Sequence, residues 1–585
     1  MKFLSVIFLF LSSFSFAQQI PSNRLTDWTY AGLRKQNISP DSVINFLEAG
    51  ADTTGLIDNS VLLHSIINGL NGQPATIYFP SANYFFNKMI VLKSNIVLKG
   101  QSSSNTNFIF DLISQNDLIR IKGTKLSDTT SLAQNAQKDQ NFINVLDATN
   151  FQKGDFINLV DNDANLVFSS WALKTTGQIV EIDSISGNKL FFKSNLRRDY
   201  SSQNASKITK LNMQKNIGIE NIHIKRLDET SEQTSNIDFE YAYNCWVKCI
   251  KSTNCNYAHI TTNFSLNLEI FGSYFLDGFS YGSGGKAYGV MLQMGTCEAL
   301  VRDNIFEHLR HSMILQAGSN GNVLAYNYSK DPFWTGVFLP ANSAGDAVLH
   351  GNYPYLNLFE GNNVQNIVID NSHGINGPFN TFFRNHAELY GIFMNTNPAS
   401  SSQNFVGNVI SNTGLALGNY TLEGNNHFEY GNNHRGNCVP SNTENLTLNT
   451  LFLTAIPAYY YDNNLWPPIG YPNALTPSTN EAKHRYQNAE LTKCTEPEPI
   501  NSIKKEENIE VKIFPNPSSD FIYIQSKQLL TFATLYDLNG RKIKIENINN
   551  LNHQLSLNKI PSGIYLLELI DENAARFTSR VVKMW

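Results

Sequence analysis

The sequence is short of charge. Asp, Glu, Lys and Arg supply 16% of its 585 residues, against roughly a quarter in an average globular protein, and the net charge is only −5. No basic cluster follows an aromatic-rich strand, so electrostatics names no partner and nucleic acid is set aside. Long apolar runs are missing, with one exception at the start. In "MKFLSVIFLFLSSFSFAQQ" the stretch from Phe3 to Phe16 follows a single Lys and precedes the small residue Ala17. It is too short for a membrane span and reads as a secretory signal peptide over 1–17, with no transmembrane segment after it. Cysteine is scarce: the six (Cys245, Cys249, Cys255, Cys297, Cys438 and Cys494) lie at spacings that do not suit zinc. In an exported chain they are free to pair. Cys438 with Cys494 would clasp the end of the repeats described below, although pairing is not readable from sequence. Four of the six sit in or beside predicted strands, where a buried thiol is expected.

What the chain has instead is a period. "NLFEGN", "NTFFRN" and "NFVGN" place asparagines at 362, 385 and 408, two steps of 23 residues, and Asn304 to Asn327 is another 23. The step from Asn327 to Asn362 is 35, one period with a dozen extra residues, and Asn432 follows Asn408 by 24. Such a period marks a solenoid whose units bury their apolar faces only by stacking. The repeated pieces are short, β-rich and separated by Gly, Asn and Ser, so each unit is a coil of strands. The asparagines are corner residues, positioned to hydrogen-bond amide to amide along the axis; Arg384, beside one of them, is read as structural.

The two ends differ from the repeats. A Pro, Glu and Lys-rich linker covers 494–510, and 511–585 alternates short strands with Pro-Asn-Pro, Asn-Gly and Ser-Gly turns, a small β-sandwich. Through "FPNP", "LYDLNGR", "SGIYLL" and the "RVVKMW" ending this module resembles the type IX secretion C-terminal sorting domain of Bacteroidetes. That resemblance implies export by the type IX machinery to the medium or the outer-membrane surface. Near the other end, "NSVLLHSIINGL" predicts a helix over about 58–70 with Asp58 as N-cap and Val61, Leu62, Ile66, Ile67 and Leu70 on its apolar stripe. Such a helix covers the open end of a stack. "GADTTGLIDN", followed by "IYFPSANYFF", "IVLKSNIVLKG" and "NIGIENIHIK", is similar to the pectate-lyase-like right-handed parallel β-helix superfamily. The fold expected over 18–493 is therefore an all-β right-handed parallel β-helix with a helical cap. Residues 125–215 break the period and read as a compact β insertion, either overhanging the groove or decorating the stack.

In each coil one strand after the corner is aligned as "YGVMLQMG", "HSMILQAG", "GVFLPANS", "NIVIDNS" and "YGIFMNT". This turns Val290, Met313, Val337, Ile367 and Ile392 inward and sets Gln293, Gln316, Pro340, Asp370 and Asn395 in one outward row. The resemblance makes that row the floor of a polysaccharide groove; amides beside the aromatics Phe338 and Phe393 suit hydroxyl-rich sugars. Asp370 is the row's only carboxylate, and His373 follows at its edge. The long loop of 340–355 is expected to bring Asp346 and His350 to the same edge. Glu307, His308, Arg310 and His311 occupy the opposite rim, with Lys330, Asp331 and Trp334. Five of the twelve histidines fall between 308 and 386.

Two reactions fit these residues. β-Elimination on a uronic-acid polymer takes a base near the C5 proton, His350 or His373, and a neutraliser of the carboxylate, Arg310 with the amide row. Hydrolysis takes two carboxyl groups, Asp370 with Asp346 or Asp331. Elimination ranks ahead because the rim is richer in His and Arg than in paired acids. The candidate catalytic set is Asp370, His373, His350, Asp346, Arg310 and His311; Gln293, Gln316, Asn395, Trp334 and Lys330 are the candidate substrate-binding set. Calcium has weak support, since Asp346 and Asp370 are too few to hold it without backbone help, and no cofactor is expected. The signatures of pectate lyases and polygalacturonases are not evident, which argues against pectin itself. The reading is a monomeric, secreted enzyme acting on an extracellular acidic polysaccharide, with hydrolysis and non-catalytic glycan binding or adhesion as alternatives.

Overall fold

The periodic asparagines form a ladder. In the structure, a computed structural model, the side-chain amides of Asn304, Asn327, Asn362, Asn385 and Asn408 each donate to the Oδ1 of the next corner residue, ending at Asn432, over 2.9–3.1 Å. Each accepting Oδ1 also takes the preceding asparagine's backbone N–H. The second amide hydrogen goes to a carbonyl of the coil behind, as from Asn362 to Leu324 O. A buried amide with all its hydrogen bonds made costs nothing for its desolvation and locks the corner. The residue before each corner (Asp303, Tyr326, Gly361, Arg384, Gly407, Gly431) has φ between 52° and 66°, the left-handed bend that Gly adopts freely and the others adopt at a small cost. Asn322, Asn357, Asn380 and Gln403 build a second ladder at another corner. The structure describes residues 20–34, 40, 42–112, 114–336, 344–454, 466–470, 479–494, 511–537, 542–571 and 576–584. The segment 1–17, Val337, Phe338, Pro340 and the linker beyond residue 494 lie outside the described residues.

Between the corners run three walls of parallel strands. One is a twelve-stranded sheet that includes Glu269–Phe271, Leu300–Arg302, Val323–Ala325, Leu358–Glu360, Thr381–Phe383 and Asn404–Val406. The other two join into a single sheet, because Asn363–Ile369 and His386–Met394 run through the turn that separates them in other coils. The aromatic residue of each repeat stacks inside: Phe359 on Phe382 at 4.9 Å, and Phe382 on Phe405 at 5.3 Å, with ring planes within 9°. This is a parallel β-helix with one continuous apolar core.

The ends and the outside are covered. Helix α1, Ser60–Gly69, lays Leu63 and Ile67 into the core. Its N-cap is Asn59 rather than Asp58, whose Oδ1 accepts from Ser60 N and Oγ two residues on. Val61 faces solvent and Leu63 takes its place on the buried stripe. At the far end, Asn480 and helix α2, Glu481–Gln487, begin a strap that climbs back along the asparagine corner. Asn480 donates to Asn327 O and Gly361 O, Arg485 to Asp303 O, and Lys493 N to Gly272 O. The strap ends in a disulfide from Cys494 to Cys249, not to Cys438 as expected. The climb explains the difference, because it carries Cys494 across several coils, while Cys438 stays near the last ones. A bridge closing a 245-residue loop stabilises by about 5 kcal/mol in the chain-entropy account. Cys245, Cys255 and Cys297 are buried free thiols.

The insertion is a six-stranded antiparallel sheet, from Thr124–Ser131 to Lys207–Asn212, with its own core around Ile143, Ile157, Leu159 and Ile182. Gly154 and Gly187 make its turns at φ 86° and 59°. The chain divides into two compact units, a large one reaching residue 496 and a small one after it. The small unit is an antiparallel half-barrel sheet, from Val511–Phe514 to Arg576–Lys583, around Ile522, Leu535, Leu567 and Leu569.

Candidate functional site

Strand register builds the row. Leu292 pairs with Leu315, Leu315 with Leu349, Leu349 with Ile369, and Ile369 with Met394. The residues that follow them, Gln293, Gln316, His350, Asp370 and Asn395, therefore succeed one another on the outside of one wall. The inward set is Val290, Met313, Ala347, Ile367 and Ile392, all buried. Val337 and Pro340 do not fill the third coil. Its strand is Ala347–Leu349, because the extra residues after Asn327 precede the strand rather than follow it. That shift puts His350 in the row itself.

His350 and Asp370, neighbours on successive coils, are joined: His350 Nδ1–H donates to Asp370 Oδ2 at 2.6 Å, while Asp370 Oδ1 accepts from Ser372 N at 3.0 Å. A carboxylate on Nδ1 holds the proton there and leaves Nε2 with its lone pair. His373 meets His350 edge to face with ring centroids 5.0 Å apart, and His311 lies 5.7 Å from His350. His311 Nδ1–H donates to Gly345 O. Behind these run amides in one direction: Gln316 donates to Gln293 Oε1, Gln293 to Asn263 Oδ1, and Asn263 to Asp238 Oδ1. Gln316 Oε1, at the head of the series, is buried without a partner. Arg310 lies across the aromatic rings of Trp334 at 4.6 Å and Tyr288 at 5.8 Å, with Nη1 donating to Gly282 O and Gly284 O and Nε buried without a partner among the described residues.

These groups surround a cleft of about 600 Å³ whose walls include Trp171, Gln233, Tyr257, Tyr288, Gln293, Arg310, Gln316, His350 and His373. Among the described residues none of its lining side chains is a carboxylate; Asp370 reaches it through His350. The structure thus brings together His350, Asp370, His373, His311, Arg310, Gln293 and Gln316. Asp346 is not at this edge: it is fully buried, accepting from Ser329 Oγ at 2.6 Å and from the N–H of Gln365 and Asn366 at 2.7 and 3.0 Å. It starts the third-coil strand and fastens it to the next coil. Lys330 is exposed on a different wall, opposite Glu307, where Nζ meets Tyr486 Oη. Trp334 backs Arg310, Asp331 pairs with His308, and Asn395 continues the row one coil past Asp370.

Residues 43–270 match the family "Rhamnogalacturonase A/epimerase, pectate lyase-like", and 512–584 match the "Secretion system C-terminal sorting domain". The chain carries a pectate lyase-like β-helix and a secretion-system sorting domain. The sorting domain marks a secreted or cell-surface protein. None of the curated proteins compared with the chain matches it. Among solved structures, the tailspike protein gp49 from Pseudomonas phage LKA1 is 14% identical, with 63% of this chain and 64% of that one covered at a TM-score of 0.49. Tailspike gp61 of Pseudomonas phage phi297 is 13% identical over 72% and 84% (TM-score 0.37), and a hyperthermoactive exopolygalacturonase from Thermotoga maritima 12% over 68% and 83% (0.32). The chain thus spans under two thirds of the LKA1 tailspike's length, and the β-helix reading rests on the strand pairing itself. The match to the pectate lyase-like family ends at residue 270, short of the cleft's histidines.

At the cleft, burial pushes the Asp370 carboxyl up, but charge and hydrogen bonding from His350, with further help from His311 and Ser372 N, outweigh it and hold the group below the usual carboxylate range. Burial, then interaction with His350 and Arg310, lowers His311 to about 3. His373 is lowered by burial and by His350, and burial lifts Tyr288 to about 12. Asp346, buried among donors, is raised to about 7. Among the described residues no group of three or more His, Cys, Asp or Glu side chains lies close enough to hold a metal ion.

Sequence reasoning missed Trp171 and Ser169, which come from the insertion. Phe168 N and Ser169 N both donate to Asn352 Oδ1, and Ser169 Oγ is 3.2 Å from His373 Nδ1. The insertion overhangs the cleft. Sequence reasoning also missed Tyr257 and Tyr288, which line the cleft; Tyr288 opens the "YGVMLQMG" strand an odd number of residues before Gln293, a spacing that alternation assigns to the inward face.

Proposed function

We propose that this protein cleaves an extracellular acidic polysaccharide by β-elimination. The observation that carries the reading is His350 Nδ1 held by Asp370 Oδ2 at 2.6 Å on the floor of a cleft lined, among the described residues, by no carboxylate. An imidazole whose Nδ1 proton is fixed offers Nε2 as a base. In the proposed step Nε2 takes the C5 proton of a uronate ring and the C5–H electrons form the C4=C5 double bond. The C4–O bond then breaks, with its electron pair leaving on oxygen. That oxygen takes a proton from a phenol, for which Tyr288, kept protonated to about 12, is positioned in the same cleft. The Arg310 guanidinium, with its unpartnered Nε, neutralises the uronate carboxylate and so stabilises charge that grows as C5 is deprotonated. The hydrolytic alternative is short of a second acid, because Asp346 is spent on Ser329 and two backbone N–H groups and Asp331 is paired with His308 away from the cleft lining.

Incubation of the whole protein with polygalacturonate, alginate and hyaluronate tests this. New absorbance near 235 nm from the unsaturated uronate, lost in His350→Ala, is the expected result. New reducing ends without that absorbance refute elimination in favour of hydrolysis. Solvent deuterium at C5 without chain cleavage would mean that the proton returns to the sugar.

A further inference from the structure

We propose that the 163–176 loop of the insertion is a sugar-binding platform, with Trp171 stacking on the C–H face of a pyranose ring next to the ring held over His350. The inference rests on the polysaccharide reading of the cleft and is independent of how the bond is broken. Three large apolar side chains within six residues point outward: Phe168 is 74% exposed, Trp171 44% and Leu173 46%. Exposed apolar groups this dense on a short loop mark a contact surface.

The loop is held in place from both ends. At its base Asp163 is buried; its carboxylate accepts from the N–H of Lys174, Thr175 and Thr176 at 2.8–3.0 Å, closing the loop on itself. At its tip Asn352, fully buried in the coil that carries His350, accepts from Phe168 N and Ser169 N. Gly374, at φ 75°, lets Phe168 press against the backbone, since a Cβ there would meet the Phe168 side chain at 2.6 Å. A loop fixed to the scaffold loses little entropy on binding, which is what a receptor surface requires. Its aromatic reaches the reacting groups: Trp171 lies edge to face with His373 at 5.4 Å and lines the cleft together with His350 and Ser372.

An indole face beside hydroxyl-accepting amides recognises a pyranose, whose axial C–H bonds make one side apolar while its hydroxyls rim the other. The occupant is therefore a polymer whose ring beside the scissile bond has an unsubstituted C–H face. The aromatic wall sits on the insertion while the base sits on the coils, so the polymer lies between them.

The test is retardation of the full-length protein in native gels containing polygalacturonate, alginate, hyaluronate or xylan. All variants are built on His350→Ala, so that nothing is consumed. Trp171→Ala is expected to weaken retardation by at least about tenfold in apparent Kd, and Trp171→Phe to stay within about threefold, since a phenyl ring keeps a stacking face. Circular dichroism confirms that each variant is folded. Unchanged retardation in Trp171→Ala overturns the proposal, as does equal weakening by Ala and Phe, or no retardation of the parent by any of the four polymers. If the enzyme yields no product at 235 nm while retardation still depends on Trp171, elimination falls and the platform stands.

Discussion

Replacing Asp370 by asparagine should silence the enzyme more completely than replacing it by alanine, and the reason lies in one backbone N–H. Asp370 has two acceptors in use: Oδ1 takes Ser372 N–H and Oδ2 takes His350 Nδ1–H. Asparagine has one oxygen. If it stays on Ser372 N, the new NH2 faces His350 Nδ1 and donates to it, forcing the imidazole proton onto Nε2 and removing the base. Turning the amide over restores the tautomer but sets NH2 against the Ser372 N–H, leaving that donor unmade at about 1–3 kcal/mol. The neutral amide also forgoes the charge-assisted bond to the imidazolium that forms on proton abstraction, about another 1.5–3 kcal/mol. Together these raise the barrier by about 3–6 kcal/mol, or about 10² to 10⁴ in kcat. Alanine leaves His350 free to choose its tautomer and should lose less. The assay is initial rate at 235 nm at pH 8, at saturating polymer, with thermal melts to establish that both variants are folded. An Asp370→Asn enzyme within about tenfold of the parent, or more active than Asp370→Ala, would refute the assignment of Asp370 as the residue that fixes the tautomer of the base.

Three further outcomes are expected. Asn362→Ala orphans Asn327 N and Leu324 O and cuts the amide ladder, so denaturant unfolding of the large unit should lose about 2–5 kcal/mol, and a loss under 1 kcal/mol would show that the ladder is decorative. Asp346 titrates at about 7 in the fold against 3.8 when exposed. Its stabilising contribution is whole below the exposed value and fades as pH rises through the folded one, a swing of up to about 4 kcal/mol. Asp346→Asn should therefore match the parent at pH 4 and melt higher at pH 8, and a variant less stable at both values contradicts the buried neutral acid. Asp238→Ala removes the acceptor that orients Asn263, Gln293 and Gln316; kcat/KM on the polymer should fall by about tenfold, and an unchanged kcat/KM in a folded variant would mean the amides orient themselves.

How much of this the sequence carried depends on how locally each feature is determined. The corner ladder was legible because one asparagine per coil must meet the same hydrogen-bonding need, so the pattern repeats at the coil's own period. The inward and outward alternation of Tyr288–Gln293 and His311–Leu315 was legible for the same reason. The coil after Asn327 was not. Its extra residues have no periodic counterpart, and counting forward at the usual spacing lands in the loop rather than on Ala347–Leu349. The consequence was chemical as well as topological: His350 and Asp346 were read together as edge residues, when register makes His350 and Asp370 adjacent rungs and buries Asp346 between coils.

The disulfide and the overhanging loop were illegible for a second reason. Cys249 with Cys494, and Ser169 with His373, are contacts between segments 245 and 204 residues apart, made because one segment travels along the axis of a rod built by the other. A solenoid exposes its whole length to such crossings. Its period predicts what each coil does with its neighbours but contains no term for a strap or an insertion laid across many coils. Those crossings lie at the edges of the cleft here: the strap closes the corner of the coils that carry the row, and the insertion supplies the wall opposite His350. Residue types in the repeats can thus name the floor of the site, while its roof is fixed by where two non-repeating segments come to rest, so specificity can change by exchange of the 163–176 loop with the register of His350 and Asp370 left intact.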